Sequence, residues 1–254
     1  VARGVLHLRS GVRRVVFLMI RRPPRSTLFP YTTLCRSWVA PVSTTYRGHT
    51  VWELPPNGQG IAALQMLNLL DAYDLKKMGF GSAGHVHAFV EAKKLVFEDR
   101  AKFYSDPAFN KLPIKQLISK KYADQRRKLI DPKRAATKVT AGAPTHGDTI
   151  YLTTADAEGN MVSFIQSIYW EFGSGVVLDE TGITWQNRGV SFSLDPEHHN
   201  LLMPHRRPFH TIQPALAHLT DGRVMIYGTM GGEGQPQTQA MLFARHVLAR
   251  KSVV

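Results

Sequence analysis

The sequence predicts an α+β fold laid out as two successive halves. Three observations carry this: apolar residues at helical spacing up to residue 129, a stretch without period from Asp131 to Asp148, and β-branched runs after it. "GHTVWELPP" predicts a strand over Thr50–Leu54, stopped by Pro55-Pro56. "NGQGIAALQMLNLLDAYDL" predicts a helix capped by Asn57, with Ile61, Leu64, Leu67 and Leu70 on one stripe. "SAGHVHAFVEAKKLVFEDRAKFYSDP" predicts a second helix with Val86, Phe89, Val90, Leu95 and Phe97 as its apolar positions, ending before Asp106-Pro107. A third, amphipathic and basic, is expected from Ile114 to Leu129, its lysines a solvated face. "DPKRAATKVTAGAPTHGD" reads as an exposed, mobile linker. "TIYLTTAD" and "MVSFIQSIY" predict two strands joined by the turn "AEGN", and "GITWQN" and "RVMIYGTM" are further strand candidates. "GGEGQPQTQAMLFARHVLAR" opens on glycines, sets Pro236 at a helix start and continues as a helix. No internal repeat is present.

The chain has 254 residues, 43% of them hydrophobic, enough for one large domain or two small ones with a real core. Its formal charge of +13 would suggest nucleic acid or an anionic surface as a partner. The charge is unevenly placed. Residues 1–37 carry eight arginines and no acid, and without them 24 Lys and Arg face 19 Asp and Glu, a net of +5. Within that segment, "MIRRPPRSTLFPYTTLCRS" (Met19–Ser37) is acid-poor like a transit peptide, but Pro23, Pro24 and Pro30 would break the helix such a peptide needs. It resembles, codon for codon, a translated short-read sequencing adapter, with Cys35 where the adapter reads Phe. Residues 1–37 are therefore read as an artefactual or disordered segment and kept out of fold reasoning. The only cysteine goes with them. What remains offers no disulfide, no Cys nucleophile and no Cys metal site. No apolar run reaches the roughly 20 residues that span a membrane. A nucleic-acid-binding protein remains the reading from another class, and a steep salt dependence of DNA binding by residues 38–254 would favour it.

Thr149 opens a strand directly after the glycine-containing linker. At most such positions a threonine is structural. The sharper reading is self-cleavage: the Thr149 hydroxyl attacks the Asp148 carbonyl, the peptide shifts to an ester, and hydrolysis frees a new N-terminal threonine. Its α-amine, with a pKa of about 7.7–8.0, is then a built-in base near neutral pH. Gly231 and Gly232, between a strand and a helix start, can aim two N–H donors at one oxygen; an ordinary turn or a phosphate loop fits the same residues. Gly58-Gln59-Gly60 follows no apolar strand, which argues against a dinucleotide site. His85 and His87 point in different directions on a helix, and His198-His199 sits in a loop; neither pair has metal-site geometry.

Family resemblance sharpens this. "GDTIYLTTADAEGNMVSFIQSIYWEFGSGVVLDETGITWQNRG", then "RRPFHTIQPA" and "GTMGGEGQPQTQA", resemble the small subunit of the gamma-glutamyltransferase family, and "WELPPNGQGIAALQMLN" and "EAKKLVFEDRAKFYSDP" resemble the end of its large subunit. The resemblance implies a fragment of a four-layer αββα N-terminal-nucleophile hydrolase sandwich, made as one precursor and cut between Asp148 and Thr149. It places the C-terminal part of the large subunit in residues 38–148 and the N-terminal part of the small subunit in 149–254. Thr149 matches the nucleophile, Gly231 and Gly232 the oxyanion-hole pair, and Ser167 stands where the family has a supporting threonine. Several substrate-binding positions depart from the family. Tyr169 replaces an Asn that helps hold the glutamyl group, Arg188 and Ser191 replace a Gln and an Asp that grip the α-amine, and His210 and Thr211 replace a serine pair that holds the carboxylate. Arg188 brings a bidentate cation to the site, which suits a substrate bearing a carboxylate and lacking an α-ammonium; a surface or subunit-interface arginine is the open alternative. "SIYWEFGSGVV" and "GITWQNRG" are similar to the oxamate amidohydrolase branch. The implied partners are a small-molecule amide, either a γ-glutamyl compound or a small anionic amide, and the two subunits of one precursor. A homodimer of such heterodimers stays open. No cofactor, metal, nucleic acid or membrane is implied, and the chain on its own is expected to be inactive.

Overall fold

A computed structural model describes residues 39–137 and 149–249, with the backbone of 3–6 and 15–18. Two four-stranded sheets lie face to face. One has the order β1 (Arg3–Leu6), β2 (Val15–Leu18), β6 (Met161–Ser167), β5 (Thr149–Ala155). The other has the order β10 (Val224–Tyr227), β9 (Ala215–His218), β4 (His49–Glu53), β3 (Val42–Tyr46). A two-stranded hairpin, β7 (Val177–Leu178) with β8 (Ile183–Thr184), stands apart. β2 lies parallel to β6.

The helices are α1 (Gly60–Leu70), α2 (Leu75–Met78), α3 (Ala83–Phe103), α4 (Ile114–Leu117), α5 (Lys120–Arg127) and α6 (Gln235–Ala249). All eleven residues of α1 are buried, because β3 and β4 lie on one side of it and α3, α5 and α6 on others. The stripe Ile61, Leu64, Leu67, Leu70 thus understates its burial: a helix apolar all round belongs inside. Helices, sheet and sheet make three layers. On the outer face of β5, Ile150 and Leu152 are exposed, and among the described residues nothing covers them.

The expected elements are present with definite corrections. Asn57 does not cap α1; the cap position is Gln59, and the Asn57 side chain instead donates to the Pro208 carbonyl, 2.6 Å away. β3, a β-branched and aromatic run that lies outside the elements expected from the sequence, pairs with β4 through an Arg47-Gly48 turn, both with positive φ, rather than the usual Asn-Gly. α3 buries Phe89, Ala88, Ala92 and Val96, while Val86 and Val90 face solvent. The single helix expected over Ile114–Leu129 is two, since Ser119 leaves helical geometry and its Oγ accepts the Tyr122 N–H to start α5. "GITWQN" contributes only Ile183–Thr184. Residues 138–148, most of the expected linker and Asp148 with it, lie outside the described residues.

Candidate active site

Strand register builds the centre of the site. β5 and β6 pair antiparallel with Thr149 directly opposite Ser167. Cross-strand partners share a face, and here the Thr149 hydroxyl donates to Ser167 Oγ at 3.1 Å. Ser167 Oγ also accepts the Tyr169 N–H at 3.0 Å. That bond bends the chain sharply after β6 and holds Tyr169 at φ 80°, an unusual conformation for a residue with a side chain. Two residues along β5 on the same inner face, Tyr151 lies against Gly228, just past β10. A Cβ on Gly228 would sit 2.4 Å from Tyr151 Cε2, so only glycine fits. The contact carries the Gly231–Gly232 loop to the Thr149 end of the sheets.

In that loop Gly231 and Gly232 both have positive φ, 107° and 51°, and a Cβ on either would meet nothing within 4 Å. Their carbonyls are spent: Gly231 accepts from the Gly234 N–H at 2.8 Å and Gly232 from Gln59 Nε2 at 2.8 Å. Neither of their N–H groups forms a backbone hydrogen bond among the described residues.

Arg188 opens a short 3-10 turn, Arg188–Ser191, which is tied to β6 by Asn187. The Asn187 N–H donates to the Ile168 carbonyl at 3.2 Å, and its Oδ1 accepts the Trp170 N–H at 3.1 Å. The Arg188 side chain runs inward and is 1% exposed. Its guanidinium lies 4.7 Å from the Tyr169 ring centroid and donates through Nη1 to Thr211 Oγ1 at 3.0 Å. Nε and Nη2 are buried without a hydrogen-bond partner, and among the described residues no carboxylate pairs with it. The reading of Arg188 as a surface arginine is therefore set aside. Burial lowers its pKa to about 9, which leaves it cationic at neutral pH. Burial, aided by the Arg188 charge, holds the adjacent His210 well below its ordinary value. His210 Nδ1 accepts the Ile212 N–H, so the neutral ring carries its proton on Nε2.

Ser167, Tyr169, Arg188, His210 and Thr211 thus converge, with Thr149 bonded into the group through Ser167. Ser191 shares the Arg188 turn but no hydrogen bond joins it to this cluster among the described residues. Two further residues stand behind the loop without any sequence signal of their own. Gln59 and Arg100 reach the site across more than 130 residues of chain, a separation that no local pattern reveals. Among the described residues, no group of three or more His, Cys, Asp or Glu is placed to hold a metal ion.

Comparisons with known proteins place the chain in a family. Residues 33–254 match the family described as gamma-glutamyltranspeptidase. The chain is 46% identical over 208 residues to the glutathione hydrolase-like YwrD proenzyme of Bacillus subtilis (strain 168), covering 82% of this chain and 39% of the relative. It is also 46% identical over 208 residues to the oxamate amidohydrolase proenzyme of Klebsiella pneumoniae subsp. pneumoniae, with the same coverage of 82% and 39%. The crystal structure of cephalosporin acylase from Bacillus halodurans superposes with a TM-score of 0.74 at 42% identity, over 83% of this chain and 38% of that one. The chain thus spans about 39% of the length of the curated relatives it matches. Its two facing sheets under one helical layer are part of an N-terminal-nucleophile hydrolase sandwich, and the chain belongs to the gamma-glutamyltranspeptidase family.

Proposed function

We propose that the protein containing this chain cuts itself before Thr149 and then hydrolyses, or transfers the acyl group of, a small amide through the Thr149 hydroxyl. The observation that carries this reading is the Thr149 Oγ1 to Ser167 Oγ hydrogen bond at the first residue of β5. It orients a hydroxyl that would otherwise rotate. In the processed enzyme the freed α-amine takes the proton of Oγ1 as Oγ1 attacks the amide carbonyl. The oxygen that gains charge is met by the N–H groups of Gly231 and Gly232, each such donor contributing about 3–4 kcal/mol to the transition state. The C–N bond then breaks, the leaving amine takes the proton, and an acyl-Thr149 ester remains for water or an acceptor amine.

Arg188 supports a small anionic amide over a γ-glutamyl compound as substrate. A buried guanidinium with two unspent donors and no counter-charge is poorly matched to an α-ammonium and well matched to a carboxylate. Thr211 and Tyr169 line the same subsite, with His210 a neutral wall behind it. Intact-mass analysis of the full-length proenzyme tests the reading. Two fragments, one with Thr149 at its N-terminus, are expected, and Thr149→Ala stays in one piece without amidase activity. A wild-type chain that never splits, or a cut elsewhere, would sink it.

A further inference from the structure

We propose that Gln59 and Arg100, both upstream of the 148–149 bond, are positioning residues that hold the Gly231–Gly232 loop in its donor-presenting shape; this rests on the reading of that loop as the oxyanion site. Gln59 has no exposed surface, and every polar atom of its amide is used. Nε2 divides its two hydrogens between the Thr211 carbonyl at 2.7 Å and the Gly232 carbonyl at 2.8 Å. Oε1 accepts from Arg100 Nη1 at 2.8 Å. That contact fixes the amide orientation, because a flip would set the NH2 group against a guanidinium. Arg100 Nη2 continues to Glu233 Oε2 at 2.7 Å, in the same loop. Its guanidinium is 4.0 Å from the Phe97 ring centroid and 5.3 Å from that of Phe209, so it is held by aromatic surfaces as well.

Peptide geometry shows what this does. In a trans peptide, each carbonyl and the following N–H point in opposite directions. Three successive carbonyls of the loop are tied: Met230 accepts from Thr229 Oγ1 at 3.0 Å, Gly231 from the Gly234 N–H, and Gly232 from Gln59. The ties turn the N–H groups of Gly231, Gly232 and Glu233 the other way. The loop's own bonds supply the first two. The Gly232 carbonyl is shared between the Gln235 N–H at the start of α6 and Gln59 Nε2, and only the Gln59 bond anchors this end of the loop to a segment outside it. The same amide holds the carbonyl of Thr211, whose hydroxyl accepts from Arg188. One buried side chain therefore fixes the spacing between the oxyanion loop and the Arg188 subsite.

The test uses the full-length proenzyme with Gln59→Glu, which keeps the shape and the Arg100 contact but removes both donors. Gln59→Met keeps the shape alone, and Glu233→Gln is a mild variant at the more exposed end of the network. Amide hydrogen exchange of a peptide covering 229–235 is read beside kcat and KM for oxamate or γ-glutamyl-4-nitroanilide, whichever the parent turns over. Gln59→Glu is expected to speed exchange in that peptide about tenfold, leave the α3 peptides unchanged, and lower kcat roughly 100-fold with KM within about twofold. Glu233→Gln should show the same pattern at about threefold, and it decides the matter if the Gln59 variants do not fold. Unchanged exchange at 229–235, or faster exchange with kcat intact, overturns the proposal. Thr149→Ala run in parallel separates the two readings: residual turnover there refutes the nucleophile and leaves the exchange result to decide the clamp.

Discussion

At the residue scale, Arg188, proposed above to receive the substrate's carboxylate, is a cost to the free protein. A guanidinium taken from water without a counter-charge is destabilising, and the partners it does have, the Tyr169 ring and the Thr211 hydroxyl, are neutral. An incoming carboxylate would satisfy Nε and Nη2 and remove that cost. Arg188→Gln is therefore expected to raise the stability of the unliganded protein by about 1–2 kcal/mol. With oxamate at 100 times its Kd, the wild type should gain about 2.7 kcal/mol and the variant nothing. Urea unfolding with and without oxamate checks both arms, and an equal gain in the two proteins would remove Arg188 from the subsite. The identity of this residue was visible in the sequence as a departure from the family pattern. Its burial was not, because burial depends on Thr211 and Tyr169 arriving from elsewhere in the chain.

At the scale of elements, β5 and β6 place Thr149 opposite Ser167, and the Tyr151–Gly228 contact sets where β10 ends relative to them. The two strands and the turn between them are legible from alternation and from "AEGN". The pairing of Thr149 with Ser167 then follows from that hairpin's register. The approach of β10 does not, since it joins two sheets. Gly228→Ala tests it. The new methyl group would lie 2.4 Å from the Tyr151 ring, so the ring and its strand must shift. A loss of about 1–3 kcal/mol is expected, which at roughly 3 °C per kcal/mol lowers the melting temperature by about 3–9 °C. Activity should fall further than stability accounts for, because Tyr151 and Thr149 share a face. Adding Tyr151→Leu should recover most of the stability. A Gly228→Ala protein with unchanged melting and turnover would contradict the close approach.

Across the whole molecule, the two halves separated by the 148–149 bond are knitted together at several points. Asp106, 1% exposed, accepts from Arg207 through Nη2 at 2.6 Å and Nε at 3.1 Å, and from the Arg207 N–H at 2.9 Å. Asn200 Nδ2 donates to the Tyr104 carbonyl at 3.1 Å and Asn110 Nδ2 to the His199 carbonyl at 2.9 Å. These contacts span the 148–149 bond, so the pieces made by the proposed cleavage there are expected to migrate as one species in native gel filtration. Burial pushes the Asp106 carboxyl up, but the Arg207 side chain and backbone N–H bonds outweigh it and leave its pKa below the ordinary value. An acid with a depressed folded pKa contributes stability that is present above the unfolded pKa of about 3.9 and is lost as pH falls through the lower, folded value. Asp106→Asn should cost about 3 kcal/mol at pH 7 and progressively less as pH falls below the ordinary aspartate value of about 3.9, read as the difference between the two pH–melting curves. A difference that does not shrink with acid would rule out the ion pair as its source.

The sequence by itself determined the α+β order of elements, the apolar stripe of α1, the strand that begins at Thr149 and the glycine pair before α6. Each of these is written in local spacing, which side-chain periodicity and turn chemistry read directly. Only the tertiary structure decided that α1 is buried on every side, that Ser191 stays outside the cluster, that Arg188 lies inside without a counter-charge among the described residues, and that Gln59 and Arg100 bond to Gly232 and Glu233. The physical reason is distance along the chain. Gln59 meets Gly232 across 173 residues and Arg100 meets Glu233 across 133, so nothing in the local sequence of either partner encodes the other.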